Sequence, residues 1–125
     1  MVNVAILGFG TVGSGVAEVL EKNGAHIGQK VSTPVCLKYI LDVRDFPDSP
    51  FADKVIHDFR IIEEDPTVDI VVETIGGATV ALDFTRRALN AGKSVVSSNK
   101  ELVAEHGYEL IQLAAQKGVS YLFEA

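Results

Sequence analysis

Gly8, Gly10 and Gly13 stand in the stretch Gly8-Phe9-Gly10-Thr11-Val12-Gly13, directly after an apolar run and ahead of a helical pattern. Their type and spacing fit a turn that receives a dinucleotide. Gly8 permits the tight exit from the strand, Gly10 lets the backbone approach a pyrophosphate, and Gly13 lets the new helix pack closely on the strand. The unpaired N–H groups and positive dipole end of that helix then face the anion. The spacing alone also fits a glycine-rich turn with no ligand; the strand before it and the helix after it favour the dinucleotide.

Other chemically suggestive groups close later apolar runs. Asp42 and Arg44 follow the second. At that place an acid hydrogen-bonds the ribose 2′-hydroxyl of NAD and an arginine accommodates the 2′-phosphate of NADP, so the two residues point in opposite directions. Asp42 and Asp45 repel such a phosphate unless they turn away, and a solvated charged turn accounts for the same residues. Gly76-Gly77 leave room for the nicotinamide half of a cofactor or form a plain turn, and Glu73 before them reads as a solvent-facing or hydrogen-bonded carboxylate. Lys100 stands near a helix start, where the dipole disfavours a cation. Either Glu101 offsets it, or the lysine is aimed at an anionic or polar ligand. His26, His57 and His106 lack metal-ligand spacing and read as surface or capping residues. The single cysteine, Cys36, reads as a buried structural thiol and fits a reducing cytoplasm.

Positioning these groups requires a scaffold that gathers strand ends. Apolar runs at 2–7, 35–41, 54–57, 69–73, 93–97 and 119–123 read as strands. A helix is expected at 12–22, with Val12, Val16, Val19 and Leu20 on one face and Asn23-Gly24 as its stop, followed by a polar connector over 25–34. Residues 46–53, with two prolines, read as a loop, and Asp58 caps a short helix carrying Ile61 and Ile62. Further helices are expected at 79–91, with Arg86 and Arg87 facing water, and from Lys100 to Gly118. Strands alternating with helices imply a single-domain α/β fold, a Rossmann-like doubly wound parallel sheet of about six strands in the order 3-2-1-4-5-6, with ligand across the carboxyl ends. The net charge of −6 disfavours nucleic acid or an anionic membrane as partner, while a dinucleotide is held by local dipoles. No apolar run approaches the ~20 residues of a membrane span, and no basic-then-apolar leader opens the chain.

The opening Ile6 to Val16, together with Val43-Arg44-Asp45, Asp69 to Gly77 and Ser98 to Gly107, resembles homoserine dehydrogenase over essentially the whole chain. The resemblance implies a cytoplasmic, homo-oligomeric enzyme that interconverts L-homoserine and L-aspartate 4-semialdehyde with NADP or NAD, on the route to threonine and methionine. It implies that Phe9, Gly10, Thr11 and Val12 cradle the pyrophosphate, that Arg44 meets the 2′-phosphate, and that Thr74, Ile75 and Gly76 lie by the nicotinamide. Ser98 and Lys100 would reach the nicotinamide ribose and reacting centre, Lys100 being one of two lysines implicated in proton transfer to the carbonyl oxygen. Glu124 would help hold a structural sodium ion through its backbone. Asp42 departs from the family pattern as an additional acid. The chain ends where the family's catalytic region is expected to begin, so residues 1–125 are expected to form the cofactor domain and to bind cofactor without turnover. The alternatives are a stand-alone dinucleotide-sensing module and aspartate-semialdehyde dehydrogenase, for whose active-site cysteine Cys36 is misplaced.

Overall fold

The computed structural model describes residues 1–30 and 35–123. Its strands are β1 (Val2–Leu7), β2 (Val35–Leu41), β3 (Val55–Ile56), β4 (Val68–Glu73), β5 (Ser94–Ser97) and β6 (Tyr121–Phe123). The helices are α1 (Thr11–Lys30), α2 (Arg60–Glu63), α3 (Val80–Asn90) and α4 (Lys100–Lys117). Every strand pairing is parallel, and the sheet order is β3-β2-β1-β4-β5-β6, as the alternation of strands and helices predicts.

Strand β1 lies mid-sheet, and Val4, Ala5, Ile6 and Leu7 are all buried, as a strand covered on both faces requires. Its side chains alternate between two layers. Ile6, with Ile40 and Val72, meets Ala17, Val16 and Leu20 of α1. Ala5 and Leu7, with Val71, Val95 and Tyr121, meet Ala81, Ala88 and Leu89 of α3 and Leu102, Leu110 and Ala114 of α4. Thus all six strands present their carboxyl ends, and the turns that follow them, on one edge of the sheet.

Several local expectations are corrected. Helix α1 runs past Asn23-Gly24 to Lys30 and replaces much of the expected connector. An interior glycine weakens a helix by about 1 kcal/mol and does not forbid it. Val12 and Val19 are exposed, because the seam of α1 against the sheet is Gly13, Val16, Ala17 and Leu20. At 100° per residue, Val12 and Val19 fall beside that seam. Part of the expected loop at 46–53 winds into a 3-10 turn at Ala52–Lys54. Arg87 does not face open water: its guanidinium pairs with both carboxylate oxygens of Glu63, at 2.7 and 3.1 Å, and lies 4.9 Å from the Phe59 ring centre. Lys93, expected in a strand, is buried just before β5 and donates to the carbonyls of Asp65 and Val68. Cys36 is half-buried.

The glycines near the start of α1 divide sharply by the space around them. A Cβ on Gly13 would sit 1.9 Å from the carbonyl oxygen of Gly8, whereas one on Gly15 would meet nothing within 4 Å. Gly13→Ala is therefore expected to cost about 3 kcal/mol through overpacking. Gly15→Ala, on the exposed helix surface, is expected to stabilise by up to about 1 kcal/mol. Urea unfolding of both variants checks this; equal midpoints would contradict it.

Candidate cofactor site

The turns after β1, β2 and β4 enclose a cleft of about 690 Å³, within the range of small-molecule and cofactor sites. Gly8, Phe9 and Gly10 form one wall, Asp42, Val43 and Arg44 a second, and the segment from Thr74 to Val80 a third. Gly8 has φ +91°, so the chain leaves β1 through a conformation that suits glycine. Gly10 is exposed, and a Cβ there would touch nothing within 4 Å.

Helix α1 begins at Thr11 with no acidic residue in its first turn, so its positive end is not neutralised locally. Among the described residues, the N–H groups of Gly10, Thr11 and Val12 have no hydrogen-bond partner, while Ser14 N–H already donates to the Gly10 carbonyl. Phe9 differs from its expected part. Its N–H donates to the Asp42 carboxylate at 2.9 Å, and its buried ring packs edge-on against Phe46 and Phe51. It anchors the loop, and the donors left for an anion are those of the next three residues.

Asp42 accepts from four directions: Phe9 N–H, Arg44 N–H, and the Arg44 guanidinium at 3.0 Å on each carboxylate oxygen. The Arg44 guanidinium, and then the backbone donors, hold the Asp42 carboxyl at about 2, well below the usual carboxylate range. This carboxylate is turned into the protein, whereas the Arg44 side chain is 61% exposed on the cleft wall and lies 5.1 Å from the Phe46 ring centre. His57, read from sequence as a surface or capping residue, closes β3 and lines the same cleft. Its ring nitrogens contact the Asp42 carbonyl at 2.7 Å and the Asp45 carboxylate at 2.8 Å. Those contacts, the backbone one foremost, raise its pKa. Its place at a strand's carboxyl end is the sequence signal that could have marked it.

Across the cleft, the Thr74 hydroxyl donates toward the carbonyls of Leu7 and Gly8 at 2.7 and 2.9 Å. Thr74 bolts the turn after β4 to the turn after β1 and spends its polar group there. Gly76 and Gly77 are exposed with open space around them, and Gly77 has φ +81°. Ser98 donates to the Glu73 carbonyl, and Lys100 is the exposed first residue of α4. The structure therefore gathers Gly8, Phe9, Gly10, Arg44, Thr74, Ile75 and Gly76 around one cleft, while Thr11, Val12, Gly13, Ser98 and Lys100 lie outside its lining. Glu124 lies outside the described residues.

A family model described as "Homoserine dehydrogenase, NAD binding domain" matches residues 8–124. The chain belongs to the homoserine dehydrogenase NAD-binding domain family. It is 38% identical to homoserine dehydrogenase of Pseudomonas aeruginosa and 39% identical to that of Corynebacterium glutamicum, covering 99% of this chain and 29% and 28% of those proteins. Crystal structures of homoserine dehydrogenase from S. aureus and Thiobacillus denitrificans superpose with a TM-score of 0.89 each, at 36% and 34% identity. They cover 99% and 98% of this chain, which spans 32% and 29% of theirs. The chain thus spans about a third or less of each of these four relatives and corresponds to their cofactor-binding part. A nicotinamide dinucleotide is its cofactor class, and the residues present fit one: open space at Gly10, free N–H groups at the start of α1, and a cleft of suitable volume.

Asp42 also sets an acid limit. Because folding favours its ionised form, that contribution is complete above its unfolded pKa near 4 and is lost as pH falls toward 2. It amounts to at most about 2 kcal/mol, reduced by solvent screening at the exposed Arg44 end. The stability gap between wild type and Asp42→Asn is expected to narrow as thermal melts move from about pH 6 to about pH 2.5. A gap that stays constant across that range would contradict this reading.

Proposed function

We propose that this chain is the NADP(H)-preferring cofactor domain of a homoserine dehydrogenase, the enzyme that interconverts L-homoserine and L-aspartate 4-semialdehyde in threonine and methionine synthesis. The observation that carries the cofactor preference is the division of labour at the end of β2: Asp42 is fully engaged by Phe9 and Arg44, and Arg44 is the group offered to the cleft. An acid already holding these donors is poorly placed to take a ribose 2′-hydroxyl, and a planar guanidinium backed by the Phe46 ring suits a phosphate.

In this reading the N–H groups of Gly10, Thr11 and Val12 hold the pyrophosphate, Arg44 holds the 2′-phosphate, and the Ile75 to Gly77 turn leaves space for the nicotinamide. The bound nicotinamide supplies hydride transfer. Ser98 and Lys100 serve the nicotinamide ribose and the reacting carbonyl, Lys100 with a proton at Nζ. A single lysine does not orient an amino-acid substrate, so the chain by itself binds cofactor without turnover. The reading places the full enzyme in the cytoplasm as a homo-oligomer, with a sodium ion held partly through the Glu124 backbone.

Fluorescence titration with NADPH and NADH tests the cofactor reading. NADPH is expected to bind more tightly, and Arg44→Ala to lower NADPH affinity about tenfold while sparing NADH. Equal affinities for the two cofactors, or an unchanged NADPH affinity in the variant, would count against it. Gly10→Ala, whose new methyl has room in the fold, is expected to leave the melting temperature unchanged and to weaken both cofactors.

A further inference from the structure

Beneath the turns after β4 and β5 lies a carboxylate with no assigned task. Glu73 is fully buried, paired in register with Ser97 of the neighbouring strand. One carboxylate oxygen accepts the Ile75 N–H at 2.8 Å, and the other accepts the Ser97 hydroxyl at 2.8 Å. Ser97 Oγ in turn accepts the Asn99 N–H at 3.1 Å. The Asn99 side-chain amide donates back to the carbonyls of Ile75, at 2.7 Å, and of Gly77. Its oxygen accepts the Leu102 N–H at 3.0 Å and so caps α4. Glu73, Ile75, Asn99 and Ser97 therefore close a ring of hydrogen bonds.

Every donor to Glu73 in this ring is neutral, and burial raises its pKa. A buried carboxylate without a counter-charge is a costly way to fill a core. What it offers over an apolar side chain is two acceptor oxygens aimed at two different strand-end turns. We propose that Glu73 is a positioning residue that joins the Ile75–Gly77 turn to the start of α4, so that the nicotinamide-side wall of the cleft and Lys100 are held as one unit. This rests on the cofactor reading of the cleft.

The test compares two ligands on the whole chain. ADP-ribose carries the adenosine and pyrophosphate part and lacks the nicotinamide; NADH carries both. Glu73→Ala is expected to weaken NADH about tenfold and leave ADP-ribose affinity unchanged, and Glu73→Gln to restore most of the loss, since its amide still offers an acceptor to Ile75 and a donor to Ser97. Ser97→Ala, which breaks the ring without touching the carboxylate, is expected to repeat the pattern and serves if Glu73→Ala fails to fold. Equal loss of both ligands, or NADH binding at wild-type strength in Glu73→Ala and Ser97→Ala, overturns the proposal. Amide spectra without ligand keep it separable from the cofactor reading. The variants are expected to shift the amides of Ile75 and of Asn99 to Leu102 together, even if wild type bound neither ligand. Shifts confined to one of the two turns overturn it.

Discussion

Helix α1 starts so close to the end of β1 that a side chain on Gly13 would overlap the carbonyl oxygen of Gly8. The rest of the site depends on that approach. It seats Ala17 and Val16 on the sheet layer formed by Ile6, Ile40 and Val72, and it fixes the axis of α1 relative to the strand ends. Among the described residues, the N–H groups of Gly10, Thr11 and Val12 at the head of α1 are unpaired, beside the open space at Gly10 on the cleft lining. The three glycines are separable: Gly8 is required by backbone angle, Gly13 by packing, and Gly10 by neither.

Polar ties then lock the other strand-end turns to that loop. Asp42 links the turn after β2 to Phe9 and presents Arg44. Thr74 links the turn after β4 to Leu7 and Gly8. Glu73, Ser97 and Asn99 link that turn onward to α4. The cleft walls are thus joined by side chains that bond to backbone groups far away in sequence. The side-chain groups of Asp42 and Thr74 are spent on holding the walls, and under the proposed function the donors for the ligand are main-chain N–H groups and Arg44.

The strand order and the fingerprint were legible because they rest on local signals: short apolar runs, alternation with helices, and glycine at fixed offsets. The length of α1 was not, because the Asn23-Gly24 stop is a propensity that a continuing helix overrides. The buried face of α1 excludes Val12 and Val19, because the close approach at Gly13, and not apolar type, sets which side meets the sheet. Arg87, read as solvated, found Glu63 and two aromatic rings across the fold. The conflict between Asp42 and Arg44 was visible in the residue types, but its arrangement follows from a bond between residues 9 and 42 that no local pattern encodes. His57 and Glu73 belong to the same class: their surroundings are assembled by sheet order.

Under the proposed function, the main-chain donors at the head of α1, with Arg44 beside them, receive the phosphates of a dinucleotide. Titration of the isotope-labelled chain with NADPH, followed by amide chemical shifts, tests it most directly. The largest changes are expected at Gly10, Thr11 and Val12 and at Arg44, with smaller changes along Ile75 to Gly77. Saturable binding that leaves the amides of Gly10 to Val12 unmoved would contradict it.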